Sequence, residues 1–370
     1  MSTKRNKYSK YSKYSFFMKL ALMQAQKNLG NTKKNPAVGC VIVKSDCIIS
    51  AGCTSRNGRP HAEQNAINCS KSSIKDSDLY VTLEPCSHYG KTPPCVKVII
   101  RNKIKRVFFS VKDPDPRSYD KSTKLLKKNK ISVQNGILVS NIKNFYKSYF
   151  KYKENILPFV TAKMAISKDF YSNNKKNKWI TNKFSRGRVH LMRSNHDCIL
   201  TSVNTVIKDN PRFTCRVPGL EHNSPSRIIL DKKLKIPITS NVVRSAHMNR
   251  TIIFFNKINQ KKIKFLKNLG IKLINTSLSG GKNFDLVDIL VKIKSLGFSR
   301  IFLESGLNLT TNFLNKDLVN DFQLFISSKK LGTNGNNSFK KNMKFFLRKS
   351  KFINEKVNLF DDKLISYHIK

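Results

Sequence analysis

Hydrophobic positions along the chain form two successive series in which helical and strand-like patterns alternate. In the first series, apolar residues at helical spacing predict a helix over 16–29. Runs rich in β-branched residues predict a hairpin of strands 38–43 and 47–51. Further predicted helices are 62–69, 94–102 and 122–130, and further predicted strands are 79–83, 106–111 and 131–134. This alternation predicts a three-layer α/β domain whose strands are buried on both faces.

The second series follows a predicted helix and linker over 145–158, where Pro158 marks the break. Its predicted strands are 159–165, 198–202, 227–230, 251–255, 271–274, 300–304, 321–327 and 363–368. Its predicted helices are 184–194, 261–269, 285–296 and 308–314. The pattern therefore predicts a basic N-terminal extension over 1–15, one domain over 16–150 and a second over 156–370, without a solenoid repeat.

The charge of the chain is extreme. It has 71 Lys and Arg residues against 22 Asp and Glu, a formal net charge of +49. Such a balance by itself favours nucleic acid or an anionic membrane as partner. The basic residues are mostly Lys and are spread along the whole chain, and Asn is also abundant. We therefore interpret the charge mainly as a codon bias toward Lys and Asn, and expect no nucleic-acid partner.

Composition narrows the class of protein. A hydrophobic content of 39% argues against a wholly disordered chain, and 370 residues suffice for two cores. No apolar run approaches the ~18 residues of a membrane span, so no membrane partner is expected. Eight cysteines are too few and too scattered for a disulfide framework. With no apolar segment of a secretory peptide in the first fifteen residues, we expect a cytoplasmic protein.

Three residues of the first series have the chemistry and spacing of a catalytic zinc site. His61 opens a predicted helix, Cys86 follows a predicted strand, and Cys95 begins the next helix. One histidine and two cysteines leave a fourth position on the metal for water. We expect both cysteines at helix N-termini, where the helix dipole lowers the pKa of a thiol. The alternative interpretation is a structural metal site.

Glu63 is the candidate catalytic residue. It lies two residues after His61, from where it can reach the activated water without binding the metal. It would take a proton from that water and return it to a leaving amine. The order His-x-Glu, Pro-Cys, Cys is typical of base deaminases, in which an activated hydroxide attacks an amidine-like carbon. The Cys-x8-Cys spacing differs from the Cys-x2-Cys common in nucleic-acid deaminases.

Residues 82–95 resemble the signature of the riboflavin-pathway deaminases, and residues 35–43 resemble a second motif of that family. The layout resembles the bacterial bifunctional enzyme, a pyrimidine deaminase fused to a reductase, over about 16–330. The resemblance implies a cytidine-deaminase-like N-terminal domain. Its substrate would be 2,5-diamino-6-(5-phosphoribosylamino)pyrimidin-4(3H)-one, which loses its 2-amino group as ammonia. The implied substrate contacts are Asn35, His88 and Lys91, and the family's usual histidine is replaced by Thr54.

The second series carries a weaker signal of its own. A predicted strand ends at Glu304 and is followed by Ser305, Gly306 and a predicted helix. Such a helix start offers free N–H groups to a phosphate. The chain has no G-x-G-x-x-G, so a Rossmann nucleotide site is not supported, and an ordinary turn is the alternative.

Residues 162–169, 179–181, 201–216 and 304–306 resemble the motifs of the family's reductase domain. This implies a dihydrofolate-reductase-like α/β domain that uses NADPH to reduce the ribosyl group to a ribityl chain, giving 5-amino-6-(5-phosphoribitylamino)uracil. The implied NADPH contacts are Ala165, Trp179, Thr205, Asp209, Lys232, Gly306, Leu307, Asn308, Leu309, Thr310, Thr311 and Asn312. The implied substrate contacts are Lys163, Asn177, Arg193, Phe213, Arg216 and Glu304. The family's glycine after Asp169 is Phe170 here.

The leading hypothesis is therefore a bifunctional riboflavin-biosynthesis enzyme with one zinc ion per chain and NADPH. Its partners would be small phosphorylated pyrimidines, and the resemblance implies a homodimer. A nucleic-acid or tRNA base deaminase is an alternative, as is a deaminase whose reductase domain is degenerate. A non-enzymatic RNA-binding protein with a structural zinc is a further alternative.

Overall fold

The computed structural model describes residues 2–177, 179–342 and 351–369. The chain divides into two compact units, Met1–Asn155 and Ile156–Lys370. Within the described residues, no helix has both the length and the apolar character needed to cross a membrane.

The first unit is a mixed sheet with helices on both faces. Its strands are β1 Gly39–Lys44, β2 Cys47–Cys53, β3 Asp78–Leu83, β4 Arg106–Val111 and β5 Ser132–Gln134. Its helices are α1 Ser2–Gln26, α2 Ala62–Asn68, α3 Cys95–Arg101, α4 Lys121–Lys128 and α5 Val139–Glu154, with a 3-10 turn at Arg56–Gly58. The strand order is β2-β1-β3-β4-β5; β1 is antiparallel to β2 and β3, and the pairs β3–β4 and β4–β5 are parallel.

Two glycines show why helices fit closely on opposite faces of this sheet. A Cβ on Gly39 would lie 1.8 Å from the carbonyl oxygen of Ala21 in α1. A Cβ on Gly52 would lie 2.4 Å from the backbone nitrogen of Ala66 in α2. Gly52 pairs with Cys40, the neighbour of Gly39, so the two glycines point to opposite faces. Helices α1 and α2 therefore sandwich the sheet, in agreement with the predicted three layers.

The predicted start of the first helix at residue 16 is wrong, because α1 begins at Ser2. The residues assigned to a separate basic extension are continuous with this helix. Tyr14 is buried, and its ring centroid lies 4.7 Å from that of Phe108 on β4. The polar, basic composition of residues 1–15 hid the apolar contact that Tyr14 makes.

The second unit is built on a long, mostly parallel sheet. Its strands are β6 Phe159–Ile166, β7 Tyr171–Asn174, β8 Cys198–Ser202, β9 Ser226–Leu230, β10 Thr251–Phe255, β11 Lys272–Asn275, β12 Leu278–Ser279, β13 Asn283–Phe284, β14 Arg300–Glu304, β15 Asp321–Ile326, β16 Gly335–Ser338, β17 Lys351–Asn354 and β18 Lys363–His368. Its helices are α6 Lys183–Ser194, α7 Val203–Asp209, α8 Asn241–Arg244, α9 Gln260–Asn268, α10 Leu286–Ser295 and α11 Leu307–Asn315, with 3-10 turns at Glu221–Asn223 and Gly332–Asn334.

The main sheet of this unit has the order β11-β10-β9-β8-β14-β6-β15-β18-β17. Neighbouring strands are parallel from β11 to β15, and β18 runs antiparallel to both β15 and β17. The carboxyl ends of β6, β8, β9 and β14 therefore meet at one edge. In open parallel sheets this edge is where ligands bind.

Phe170, which stands where the family has glycine, lies in the turn between β6 and β7. Its φ is +70°, in the left-handed region that glycine adopts most easily. Its side chain packs against the core of the unit, and its carbonyl accepts a 2.7 Å hydrogen bond from the Phe339 N–H. The Asp169 carboxylate accepts N–H bonds from Leu331 and Gly332, which fixes the other side of the turn.

Candidate active sites

The predicted zinc ligands converge in the first unit. One ligand atom from each of His61, Cys86 and Cys95 lies within 4.8 Å of the others. The His61 Nδ1 atom is 3.3 Å from the Cys95 Sγ atom and 3.5 Å from the Cys86 Sγ atom. One imidazole nitrogen and two sulfurs at this separation fit a tetrahedral zinc ion that keeps a fourth position open.

These three side chains shift one another's pKa values. Hydrogen bonds from Cys95 and His61 lower the pKa of Cys86 to about 4, despite its burial. The bond with Cys86 raises the pKa of His61, and the bond to Cys86 together with burial raises the pKa of Cys95. A metal ion replaces the protons of such side chains, because its ligands must be deprotonated. The donor set therefore fits zinc.

The expectation that both cysteines begin helices holds for Cys95 only. Cys95 is the first residue of α3, whereas Cys86 lies in the loop after β3. Cys86 nevertheless contacts the N-terminus of α3, because its Sγ atom accepts a hydrogen bond from the Cys95 N–H at 3.3 Å. The loop after β3 thus places the Cys86 sulfur at the positive end of the α3 dipole, although Cys86 is not part of that helix.

Glu63 lies where a proton carrier is needed. It is the second residue of α2, which begins directly after His61, and only 3% of its surface is exposed. Burial raises the pKa of Glu63, and the negative charge of Cys86 raises it further. Glu63 and two of the metal ligands, His61 and Cys86, line one cavity of about 110 Å³.

The same cavity receives two of the three predicted deaminase-substrate residues. Asn35 and His88 line it, and Lys91 is not among its lining residues. The Asn35 side-chain amide donates to the Gly58 carbonyl at 2.8 Å, and His88 Nδ1 lies 3.0 Å from the Ser118 hydroxyl. Both side chains are therefore held in place before any substrate arrives.

Thr54, which stands where the family has histidine, also lines the cavity but is only 2% exposed. Its hydroxyl accepts the Val38 N–H at 2.9 Å, and its own N–H donates to the Val38 carbonyl at 2.8 Å. The threonine therefore forms its hydrogen bonds with the protein backbone.

The Glu84 carboxylate, which the sequence analysis did not single out, holds the loop after β4 at one side of the cavity. The Glu84 carboxylate accepts the Ser122 hydroxyl and, at 3.3 Å, the Asp113 N–H. Asp113 in turn accepts the Tyr149 hydroxyl of α5 at 2.9 Å. Glu84 is the residue that follows β3, two before Cys86, so a sequence signal existed in the motif Glu-Pro-Cys.

In the second unit, a buried ion pair lies at the carboxyl edge of the main sheet. Arg193 of α6 donates from Nε and Nη2 to the Glu304 carboxylate at 2.9 and 2.8 Å. Burial alone would raise the pKa of Glu304, but Arg193 and Lys163 hold it below its ordinary value. Lys163 on β6 lies directly opposite Glu304 on the neighbouring strand β14, and burial lowers the pKa of Lys163.

The loop after α7 is fastened to this ion pair. Arg193 Nη1 donates to the Thr214 carbonyl at 3.0 Å, and the Arg193 guanidinium lies 5.9 Å from the centre of the buried Phe213 ring. Phe213 is only 2% exposed, so its ring is held in the core beside the Arg193 guanidinium. Arg216 is exposed and lies 3.5 Å from the Thr214 hydroxyl.

His190 is a residue of this site that sequence reasoning missed. It lies one turn before Arg193 on α6, and its Nδ1 atom is 2.9 Å from the Thr214 carbonyl oxygen. Burial and the charges of Arg193 and Arg216 lower the pKa of His190 to about 4. The sequence offered one indication of this role, because residues three apart on a helix, such as His190 and Arg193, lie on the same face.

The predicted NADPH residues gather along the same sheet edge. Ala165 is the penultimate residue of β6, Thr205 and Asp209 lie on α7 directly after β8, Lys232 follows β9, and Gly306 precedes α11. Among the residues that the structure describes, no side chain caps the start of α11, and no atom beyond the neighbouring residues and the helix's own backbone lies within 4 Å of a Cβ built on Gly306. This open helix N-terminus fits a cofactor phosphate.

The residues after Gly306 form a helix, as the sequence predicted for 308–314. Leu307, Asn308, Leu309, Thr310, Thr311 and Asn312 all lie on α11. Thr310 is fully buried, whereas Asn308 and Asn312 are exposed. A helix spreads successive side chains around its axis, so these six cannot all face one ligand.

Two further predicted residues lie in the loop before α6. Trp179 is 57% exposed, and the Arg186 guanidinium lies 4.7 Å from its ring centre. Asn177 is also exposed, and its N–H donates to the Asn174 side chain at 3.3 Å.

Comparisons with known proteins assign both halves. Residues 11–111 match the cytidine and deoxycytidylate deaminase zinc-binding region, and residues 158–358 match the RibD C-terminal domain. The riboflavin biosynthesis protein RibD of Aquifex aeolicus is 37% identical over 318 residues, which cover 85% of this chain and 87% of that protein. The chain belongs to the RibD family. RibD of Escherichia coli is 29% identical and is covered to 88% of its length.

Solved RibD structures share the fold of nearly the whole chain. A RibD structure from Acinetobacter baumannii is 26% identical with a TM-score of 0.83, and the match covers 97% of this chain and 99% of that one. A Thermotoga maritima structure is 29% identical with the same TM-score and coverage. These matches confirm the predicted fold class, a cytidine-deaminase-like domain followed by a dihydrofolate-reductase-like domain.

As a RibD-family member, the chain is a bifunctional deaminase and reductase of riboflavin biosynthesis. Its hydrolase half binds zinc, and its oxidoreductase half depends on NADPH. The leading hypothesis from sequence is confirmed at this level. The roles of individual side chains remain predictions.

Proposed function

We propose that the first unit deaminates 2,5-diamino-6-(5-phosphoribosylamino)pyrimidin-4(3H)-one and that the second unit reduces the product to 5-amino-6-(5-phosphoribitylamino)uracil. The carrying observation is the cluster of His61, Cys86 and Cys95, of which His61 and Cys86 line one cavity together with the buried Glu63. The Thermotoga maritima neighbour is described as a diaminohydroxyphosphoribosylaminopyrimidine deaminase and 5-amino-6-(5-phosphoribosylamino)uracil reductase, which is the same pair of reactions.

In the deaminase half, His61, Cys86 and Cys95 would hold the metal. When bound, zinc supplies a Lewis acid that lowers the pKa of water. Glu63 accepts a proton from the water whose oxygen bonds to C2 of the pyrimidine. It then gives a proton to the 2-amino group, whose bond to C2 breaks as ammonia leaves. Burial raises the pKa of Glu63, which suits a carboxyl that must both take and return a proton.

Asn35 and His88 are proposed to contact the pyrimidine, because both line the cavity beside Glu63. Their side chains are already fixed by hydrogen bonds to Gly58 and Ser118, so binding costs them little side-chain entropy. Lys91 keeps its predicted role as a substrate contact from resemblance alone.

In the reductase half, NADPH supplies a hydride when bound. C1′ of the ribose would take up this hydride as the bond from C1′ to the ring oxygen breaks, and that oxygen would take up a proton. Lys163 would donate a hydrogen bond to this oxygen, and its lowered pKa suits proton donation. Arg193 is engaged by Glu304, so Arg216 is the better placed of the two predicted arginines to bind the substrate phosphate. Phe213 supports Arg193, and Asn177 remains a predicted contact.

We propose that NADPH binds along the carboxyl edge of the main sheet with a phosphate at the open start of α11 after Gly306, and that it contacts those of Leu307, Asn308, Leu309, Thr310, Thr311 and Asn312 whose side chains face it. Ala165, Thr205, Asp209 and Lys232 would lie along the adjacent strand ends. Trp179 is exposed enough to stack on a ring of the cofactor.

We further propose that the protein is a homodimer located in the cytoplasm. Its binding partners would be small phosphorylated substrates and not nucleic acids. The dimer rests on the family resemblance. The compartment is supported by the zinc ligands Cys86 and Cys95, which must stay reduced to bind metal.

The proposal is tested by incubating the protein with the diaminopyrimidine nucleotide, with and without NADPH. Without NADPH we expect ammonia and accumulation of the deaminated ribosyl intermediate. With NADPH we expect the ribityl product, and one NADPH oxidised for each ammonia released. Ammonia release without NADPH oxidation would leave a deaminase alone, and no ammonia in either case would refute the proposal.

A further inference from the structure

The deaminase cavity is lined by basic side chains whose charges are neutralised to different extents. In the described part of the chain these are Lys34, Arg59, Arg117 and Lys153. The last two share one carboxylate, because Arg117 binds Asp115 through two bonds of 2.9 and 2.6 Å and Lys153 binds it at 2.9 Å. These pairs hold the pKa of Asp115 well below its ordinary value.

Arg59 is different because its bonding partner is neutral. Its Nη1 atom donates to the Thr92 hydroxyl, and within the described residues it forms no ion pair with a carboxylate. Its Nη2 atom lies close to the backbone of Gly90, where a Cβ would be only 3.0 Å away. The absent side chain at Gly90 thus gives the guanidinium room to lie against the loop that carries Cys86.

Lys34 brings a second uncompensated charge to the cavity. It is exposed, it directly precedes Asn35, and no carboxylate pairs with it in the parts of the chain described above. Lys34 and Arg59 come from different segments, one after α1 and one before α2. The predicted anion contact Lys91 does not line this cavity.

We propose that Arg59, with Lys34 beside it, binds the phosphate of the deaminase substrate and makes the enzyme prefer the nucleotide over the nucleoside. The inference rests on the proposed deaminase function and adds a specificity-determining residue to it. A guanidinium such as that of Arg59 can bind a phosphate through two parallel hydrogen bonds. Arg117 and Lys153 are less suited to this role, because each would first have to break its ion pair with Asp115.

The test compares ammonia release from the phosphorylated nucleotide and from the dephosphorylated nucleoside. For Arg59→Ala we expect KM for the nucleotide to rise about tenfold to a hundredfold, the loss of a charge-assisted bond. We expect kcat for the nucleotide, zinc content and KM for the nucleoside to stay unchanged. Lys34→Ala should give a smaller rise with the same selectivity. Arg101→Ala is the matched control, since Arg101 is an exposed arginine at the end of α3 outside this cavity.

Two results would overturn the inference. Equal effects of Arg59→Ala on the nucleotide and the nucleoside would show a structural role for Arg59. No effect of Arg59→Ala, together with a nucleotide-selective rise of KM in Lys91→Ala, would move the phosphate to Lys91. Failure of the proposed function looks different, because the wild-type protein would then release no ammonia from either substrate, and both ideas would fall.

Discussion

Glu63→Gln is expected to lower the rate of ammonia release by about a hundredfold to ten-thousandfold, the usual contribution of a positioned acid–base group. Glutamine keeps the shape of the side chain in its buried position on α2 but cannot accept a proton from water. Zinc should stay bound, because Glu63 is not a member of the His61, Cys86 and Cys95 cluster. NADPH-dependent reduction of the deaminated intermediate should be unchanged.

The measurement is ammonia release per chain, with zinc content determined on the same sample. Glu154→Gln is the matched control, since Glu154 is exposed at the end of α5, and it should retain full activity. Undiminished deamination by zinc-loaded Glu63→Gln would show that another group moves the proton.

Glu304→Gln is expected to abolish reduction and to destabilise the second unit by about 3–5 kcal/mol. The carboxylate is only 14% exposed and forms two bonds to an Arg193 side chain that is 10% exposed. Removing its charge leaves a buried guanidinium without a counter-ion and takes away the negative neighbour of Lys163. Ammonia release by the first unit should remain.

Stability and catalysis are separated by a double variant. Arg193→Met with Glu304→Gln removes both charges, so most of the lost stability should return while reduction stays absent. Thermal unfolding and NADPH oxidation with the deaminated intermediate measure the two effects. Glu221→Gln, at an exposed 3-10 turn of the same unit, is the control. Normal NADPH oxidation by Glu304→Gln would contradict the assigned site.

The zinc cluster was predictable because its chemistry is local in sequence. His61 and Glu63 share one helix start, and Cys86 follows Glu84 and Pro85 at the end of a strand. The environment of Cys86 was not predictable in the same way. Its thiolate meets the start of α3 through a loop, and no periodicity in the sequence shows how a loop folds back.

Most long amphipathic elements were predicted, although the starts of α1 and α5 were placed too late, whereas the short polar strands β7 and β16 were missed. Strands β7 and β16 contain mainly Tyr, Ser, Asn and Gly, and they pair with each other across a large sequence separation. Their stability comes from that pairing, which is not visible in either segment alone.

The charged side chains of the sites show the same limit. The sequence predicted Arg193 and Glu304 as substrate contacts, but only the fold shows that they bind each other. Likewise Arg59 and Arg117 look alike as arginines in loops, and only their partners distinguish a free charge from a neutralised one. Whether a charge is paired depends on tertiary structure, which the pattern of residues does not contain.

One chain performs two reactions, and we infer that each takes place at a separate site in its own unit. This inference is tested most directly by mixing the Glu63→Gln and Glu304→Gln proteins with the diaminopyrimidine nucleotide and NADPH. Each variant alone should give no ribityl product, and the mixture should give it, because the intermediate released by one protein is reduced by the other. Ribityl product from either variant alone, or none from a mixture whose members each retain their other activity, would contradict the account.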